Sequence, residues 1–345
     1  MKANYKSRIY PVVLILIVYL VWQYRESNAL QQVKLSGTTM GTIAYHITYL
    51  DNYSRDFKNQ IDSLLIDFNQ SLSTYISDSE ISRFNNEGTV KFTSPYFLEV
   101  MESSELVYDK SQGAFDPTIG QLIDAWGFGK DGFIAPDSTQ VDSLLQYVGF
   151  TKILFDKNGA QRLSPGIKLN FSAIAKGQAI DVVGNYLSSQ GIENYMVEIG
   201  GEVRAKGKNG DEKLWAIGIE VPDEKRMGGV FDAVLLDNQG MATSGNYRQF
   251  RNVNGRKVAH TIDPKTGFPK IQTLLSATVL APNCMLADAY ATACMVLGLE
   301  GAKTLLLNDP TLEAYFIYGD GAGNLLTYIS PGLEGRTVNA LNAVD

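Results

Sequence analysis

Two short stretches hold most of the side chains suited to phosphate chemistry: Thr243-Ser244-Gly245-Asn246-Tyr247-Arg248 and His260-Thr261-Ile262-Asp263-Pro264-Lys265-Thr266-Gly267. Asp263 to Gly267 reads as a tight turn, because Asp bonds its own backbone, Pro sets φ and Gly accepts φ > 0. His260, one of two histidines in the chain, stands just before that turn. Two readings are open for it: a packing histidine, or a neutral imidazole that takes a proton from an incoming hydroxyl near working pH. Asp288 and Thr292 stand four apart in an apolar run, which puts a carboxylate and a hydroxyl on one helix face. Mg2+ takes about six oxygens and commonly only one or two protein carboxylates, with phosphates and water completing the shell. The pair is therefore a sensible half-site for a metal that arrives with a pyrophosphate. The plain alternative is an exposed Asp and a Thr bonded back to its own helix. Lys176 opens another helical pattern, where free N–H groups favour phosphate, and reads either as a ligand contact or as a solvated surface lysine.

Periodicity supplies the elements that must position these groups. Phe57, Ile61, Leu64, Leu65, Phe68 and Leu72 recur at helical spacing, predicting an amphipathic helix that ends near Ser73. A second helix is expected over 95–112, stopped by Gly113, and a third after Asp137 as N-cap. Short β-rich runs follow at 152–155, 167–171, 195–199, 215–221, 230–236 and 274–280, with Gly-bearing turns between several of them. One helix interrupts the series, with Ala173 to Lys176 in its first turn. A last helix is expected over 282–297, and 315–318 with 325–328 suggest a closing hairpin around Asp320-Gly321. Helices and strands come in groups, which favours α+β with mainly antiparallel sheets and packed helices over a doubly wound fold. Gly200-Gly201-Glu202 offers no dinucleotide or Walker pattern and reads as a close backbone approach.

A chain of 345 residues with 45% apolar content can bury a large core. Its net charge of −7 and pI near 5.1 lack the basic footprint that a nucleic-acid partner requires. Residues 1–29 differ: Lys2, Lys6 and Arg8 precede an apolar run from Val12 to Trp22, and Ser27-Asn28-Ala29 fits a loose cleavage site. This segment is expected to be an export signal or an uncleaved N-terminal membrane anchor, with 30–345 as a single folded unit. Cys284 and Cys294 sit ten apart in one helical pattern. At that spacing their Cα atoms lie roughly 15 Å apart, beyond disulfide reach. No Cys/His cluster suggests a soft metal site, so any metal is a hard cation held by oxygen.

Five further signals fall in order along the chain: Met40-Gly41-Thr42; Ser73-Thr74-Tyr75 with Asp78 to Asn85; Gly113-Ala114-Phe115-Asp116-Pro117-Thr118-Ile119-Gly120 before Trp126-Gly127-Phe128-Gly129; Ser172-Ala173-Ile174-Ala175-Lys176-Gly177; and Ala287 to Ala293. Together with the two stretches above, the set closely resembles the ApbE family of FAD:protein FMN transferases, over about residues 36–330. The resemblance implies an ApbE-like fold with FAD in a central cleft. It also implies Mg2+-dependent transfer of FMN from FAD to a Thr or Ser hydroxyl of an acceptor protein, with AMP leaving. FAD-contacting positions carry over to Met40, Tyr75, Ala114, Phe115, Asp116, Lys176 and Ile262. The metal set carries over to Ala173, Asp288, Ala291 and Thr292, with His260 the candidate base. Asn170 stands where the family usually has Asp, which alters a ligand-facing position. Many relatives carry a lipid on an N-terminal cysteine, whereas this chain has none before Cys284. Acceptors implied by the resemblance are exported flavoproteins with a Ser/Thr-Gly-Ala-Thr/Ser pattern, such as redox-pump subunits, and the enzyme is expected in the periplasm or on the periplasmic face of the inner membrane. The pattern is absent from this chain, so self-modification is not expected. Two rival readings keep the flavin: an FAD pyrophosphatase giving FMN and AMP, and a non-catalytic exported flavin-binding protein.

Overall fold

The computed structural model describes residues 10–11, 13–20, 30–128, 135–222, 229–246, 250–253, 256–259, 261–270 and 272–338, with backbone only for 250–253 and 256–259. Residues 10–11 and 13–20 are helical and exposed.

An eight-stranded antiparallel sheet forms the centre. Its strands are β1 (Gln31–Thr39), β2 (Ile43–Asp51), β6 (Tyr195–Ile199), β7 (Glu202–Lys206), β10 (Gln239–Gly245), β13 (Leu274–Ala281), β14 (Glu313–Gly319) and β15 (Leu325–Ile329), and they lie in that order across the sheet. Strand order therefore follows chain order. The intervening segments form smaller units: β3 (Thr89–Lys91), β5 (Gly159–Arg162) and β4 (Ile153–Asp156) make one three-stranded sheet. β16 (Thr337–Val338), β9 (Val230–Leu236) and β8 (Trp215–Glu220) make another, and β11 (Phe250–Val253) pairs with β12 (Arg256–Ala259).

Both faces of the central sheet are covered, and strand alternation shows it. Ala242, Val279, Ala281, Ala314 and Phe316 face the main core. Their neighbours Met241, Leu280, Tyr315 and Ile317 face a second core under β8 and β9, with Trp215, Ile217, Ile219, Val234 and Leu236. A strand buried on both faces reads as a continuous apolar run, which is the character of Leu274–Ala281. The main core is filled by α1 (Lys58–Leu72), α2 (Glu80–Glu87), α3 (Pro95–Lys110), α6 (Ala175–Ser189) and α7 (Cys284–Asn308). A satellite cluster of Leu122, Trp126, Val141 and Ile262 joins α4 (Gly120–Ala125) and α5 (Ser138–Leu145) to the 261–268 turn.

The α+β expectation is correct, as are the helices starting at Lys58, Pro95 and Ser138 and the β14–β15 hairpin. Asp137 caps α5 in a full capping box with Gln140. Both cysteines are free and buried. Three expectations fail. Residues 167–171 form no strand but a single bridge, Ile119 to Lys168, because this apolar run packs its side chains into the core without a partner strand beside it. α6 begins at Ala175, so Ala173 lies in the approach to the helix and not in its first turn. The last helix continues to Asn308 beyond a break at Gly298 (φ 76°, ψ 177°), a conformation open to glycine.

Candidate functional site

Strand register brings the chemical residues to one end of the central sheet. Tyr45 pairs with Ile199, so the β1–β2 turn at Met40 to Thr42 and the β6–β7 turn at Gly200-Gly201 share that end. Met241 pairs with Val203, and Gly245 with Ser276, so the Thr243 to Gly245 end of β10 lies there too. Met40 takes φ 48° in its turn and is half-buried. Gly200 and Gly201 both take positive φ, 61° and 93°, and Gly201 N–H donates to Glu198 Oε1.

The two helices that carry Lys176 and Asp288 cross at their N-terminal turns. A Cβ on Gly177 would come within 2.2 Å of the Cys284 carbonyl oxygen, and one on Gly240 within 2.2 Å of Cys284 N. Both glycines are there because α7 is seated against backbone. Asp181 of α6 then accepts from the N–H groups of Cys284 (3.1 Å) and Met285 (2.8 Å), while Asn283 caps Leu286 (2.9 Å). These bonds satisfy donors that the first turn of any helix leaves open. Burial pushes the Asp181 carboxyl up, and the Arg204 guanidinium at 3.1 Å opposes that shift.

A buried charge cluster sits at this crossing. Lys176 Nζ donates to Glu202 Oε1, and Gly177 N–H donates to Asp288 Oδ2 at 3.2 Å. Glu202 and Asp288 are each 3% exposed, and the Lys176 side chain is 28% exposed. Glu202 Oε2 is buried without a hydrogen-bond partner among the described residues. Burial raises Glu202 to about 8, and the Asp288 charge adds to the rise while Lys176 opposes it. Asp288 is likewise raised, first by burial, with Lys176 and the Gly177 N–H pulling it down. For Lys176 burial disfavours the charge, but Glu202 and Asp288 together outweigh it and hold the ammonium protonated. Glu202 and Asp288 also share a side-chain hydrogen bond, so burial keeps a proton on this carboxyl pair beside the ammonium. A hard cation, which favours ionised carboxylates, would take the place of that proton at Asp288. Thr292, one turn beyond Asp288, is half-buried, and its Oγ1 lies 3.2 Å from Ser244 Oγ. It therefore bonds across to β10 and not back to its own helix. Ala291 is fully buried and Ala173 half-buried.

Hydrogen bonds tie some of the remaining candidates together, while the side chains of Tyr75, Ala114 and Ile262 are placed by packing or exposure alone. Thr261 Oγ1 donates to Asn246 Oδ1 at 3.0 Å, joining the two stretches rich in polar groups. Tyr247, Arg248 and His260 lie outside the described residues. Ile262 is 2% exposed within the satellite cluster. Asp263 shapes the expected turn, accepting from Lys265 N–H at 2.9 Å, with Gly267 N–H closing on the Asp263 carbonyl at 2.8 Å. Asn69 Nδ2 donates to Thr39 Oγ1 (3.1 Å), linking the end of α1 to the Met40 turn. In the loop after α1, Tyr75 stands 84% exposed. Ala114 and Phe115 are buried, Phe115 in the main core. Asp116 is also buried and accepts from Thr118 N–H (2.8 Å) and Oγ1 (2.6 Å). Burial pushes its carboxyl up to about 6 against those bonds. Asn170 N–H donates to the Pro117 carbonyl at 2.8 Å, and its Oδ1 accepts from Ser172 N–H at 2.9 Å, so its acceptor oxygen turns the chain into α6.

Sequence reasoning missed Glu202, Asp181 and Glu80. The signal for Glu202 was present: two glycines ahead of a lone acid at a strand start. Glu80 is 2% exposed and accepts from Ser71, Ser94 and both donors of Thr93.

A sequence profile of the ApbE family matches residues 40–316, most of the chain. The chain belongs to the ApbE family. Among its ApbE relatives, the FAD:protein FMN transferase of Haemophilus influenzae is 40% identical over 284 residues, covering 78% of this chain and 82% of that one. The FAD:protein FMN transferase of Escherichia coli K12 is 31% identical over 330 residues, 93% of each chain. Solved ApbE structures agree in fold. The flavin transferase ApbE from Vibrio cholerae superposes with TM-score 0.80 at 35% identity, over 89% of this chain and 99% of that chain. The apo flavinyl transferase ApbE of Pseudomonas stutzeri gives 0.79 at 29%, over 89% and 97%.

Proposed function

We infer that this chain is an FAD:protein FMN transferase, and that it joins FMN to a Thr or Ser hydroxyl of an exported acceptor. The observation that carries the reading is the meeting of Lys176, Glu202, Asp288 and Thr292 at one sheet end, in a chain whose family relatives span most of its length. The acceptor oxygen attacks the FMN phosphorus, the phosphoanhydride to the AMP phosphate breaks, and AMP leaves with the electron pair. The hydroxyl proton goes to His260. Little covalent help is needed from the protein, and in-line positioning with charge neutralisation supplies most of the rate. Lys176 faces the diphosphate. Asp288, Thr292 and the carbonyls of Ala173 and Ala291 would hold Mg2+, which supplies Lewis-acid neutralisation of the phosphate oxygens when bound. Met40, Tyr75, Ala114, Phe115, Asp116, Asn170 and Ile262 would line the flavin and adenosine. Residues 1–29 direct export as a cleaved signal or an anchor, placing the enzyme in the periplasm or on the periplasmic face of the inner membrane. Acceptors of this class carry the Ser/Thr-Gly-Ala-Thr/Ser pattern, as in redox-pump subunits.

The test mixes purified protein, FAD, Mg2+ and a domain bearing that pattern, followed by mass spectrometry and AMP assay. The expected product is the FMN adduct with one AMP per adduct. Asp288→Asn keeps an acceptor for Gly177 N–H but removes the charge, and is expected to cut transfer at least about 100-fold at near-unchanged melting temperature. AMP released without adduct would make the enzyme a pyrophosphatase instead.

A further inference from the structure

Glu202 is in neither the flavin set nor the metal set, yet the fold is shaped to deliver it. Two positive-φ glycines reverse the chain at Gly200-Gly201 and place Glu202 at the first position of β7. The space that a Gly200 side chain would fill is bordered by Ile43, with Lys176 Cδ 3.8 Å from the missing Cβ. The lysine stem therefore runs along the turn, and its ammonium ends on Glu202 Oε1. Lys176 is drawn by two acids, since Glu202 and Asp288 both attract it, but it donates to Glu202. Asp288 takes a hydrogen bond from the Gly177 backbone and shares one with the Glu202 carboxyl, but none with the ammonium. An ammonium seated on Asp288 would neutralise the carboxylate that a divalent cation needs. A lysine with four rotatable bonds would sample that pairing unless another acid held it.

We propose that Glu202 is a positioning residue of this site: it keeps the Lys176 ammonium off Asp288, leaving Asp288 to the cation and Lys176 at a fixed point beside the diphosphate. This rests on the flavin transferase reading for the nature of the ligand, but its physical content is a coupling between Glu202 and Lys176. Outer-shell partners of this kind typically change metal affinity by about 10- to 100-fold when removed, and small displacements of positioned groups cost up to about 100-fold in rate.

The experiment is a double-mutant cycle read by Mn2+ binding, with free Mn2+ followed by electron paramagnetic resonance in the presence of FAD, alongside kcat and KM for FAD. Glu202→Ala is expected to weaken Mn2+ binding about 10- to 100-fold and to lower kcat with a smaller change in KM. Glu202→Gln, which keeps an acceptor oxygen for the ammonium, falls between. In a Lys176→Met background the same Glu202 substitutions cost at least about tenfold less Mn2+ binding than in the wild-type background, because the competing ammonium is gone and only the Glu202–Asp288 contact is lost. Equal losses in both backgrounds would make Glu202 a metal ligand in its own right and overturn the proposal, as would unchanged binding in either single variant. If Glu202→Ala lowers the melting temperature enough to prevent measurement, the isosteric Glu202→Gln carries the cycle. A wild-type protein that shows this coupling yet never modifies an acceptor would refute the transferase reading and leave the role of Glu202 standing.

Discussion

Asp116 shows how a buried carboxyl can be held at a cost. Its folded pKa, about 6, lies above the ordinary 3.8 because burial outweighs the Thr118 bonds. Its stabilising contribution is therefore fully present below 3.8 and is lost as pH rises through about 6, since in that window the folded chain binds a proton the unfolded chain has released. The size is roughly 3 kcal/mol between those limits. Asp116→Asn keeps an acceptor for Thr118 N–H and does not titrate. The variant's melting temperature relative to wild type is expected to rise by several degrees from pH 4 to pH 7, read by circular dichroism; a flat difference would show that Asp116 is not destabilised by burial. At this scale the sequence was legible where a residue type has one use. Asp288 and Thr292 at four-residue spacing, and Lys176 at a helix start, could be singled out, and the structure brings Lys176 and Asp288 to one crossing. Asp181 could not be found this way, and Glu202 only as an acid behind a glycine pair, because their partners Lys176, Cys284 and Met285 lie from 26 to 104 residues away, and no local period announces such a pairing.

Elements hold these residues through backbone contact as much as through side chains. Gly177 lets α6 touch the first turn of α7, and an added methyl would meet the Cys284 carbonyl at 2.2 Å and Met285 Cα at 2.7 Å, atoms with no freedom to move aside. Gly177→Ala gains about 1 kcal/mol of helix propensity but must push two helices apart, an overpacking cost of about 1 to 3 kcal/mol. We expect a net loss of stability in urea titration and a larger loss of transfer, because Lys176 and Asp288 stand on opposite sides of the contact. A stabilised, fully active variant would show that the crossing can relax freely. Most elements were legible from period and caps: Asp137 with Gln140, and Pro95 opening α3. The 167–171 run misled because β-branched and aromatic residues suit any buried position, and only a partner strand makes them a strand. α2 was passed over, although Ser79 caps it and Gly88 ends it in αL. Its inward acid, Glu80, disguises the apolar face.

For the whole molecule, stability is distributed unevenly. The satellite cluster of Leu122, Trp126, Val141 and Ile262 is small beside the core that holds Trp215, and regions with little buried apolar surface open first. In single-tryptophan variants Trp126 fluorescence is expected to change at lower urea than that of Trp215. Coincident midpoints would mean that the satellite melts only with the sheet. Because that cluster carries Ile262 and its turn, early opening would loosen the 261–268 turn and leave the Lys176 crossing closed. The α+β class was readable from grouped elements, but strand order was not, since pairing is a long-range property. That order runs with the chain from β1 to β15, so each new strand has its neighbour already in place when it arrives. A polypeptide delivered from its N-terminus can add strands one at a time to a growing edge, with the smaller sheets left as side excursions. The charged crossing is the exception, for Lys176 and Glu202 come early and wait for Asp288, 86 positions after Glu202. Until α7 is made, Glu202 is the acid that holds the Lys176 ammonium, and the buried charge cluster closes only when Asp288 arrives.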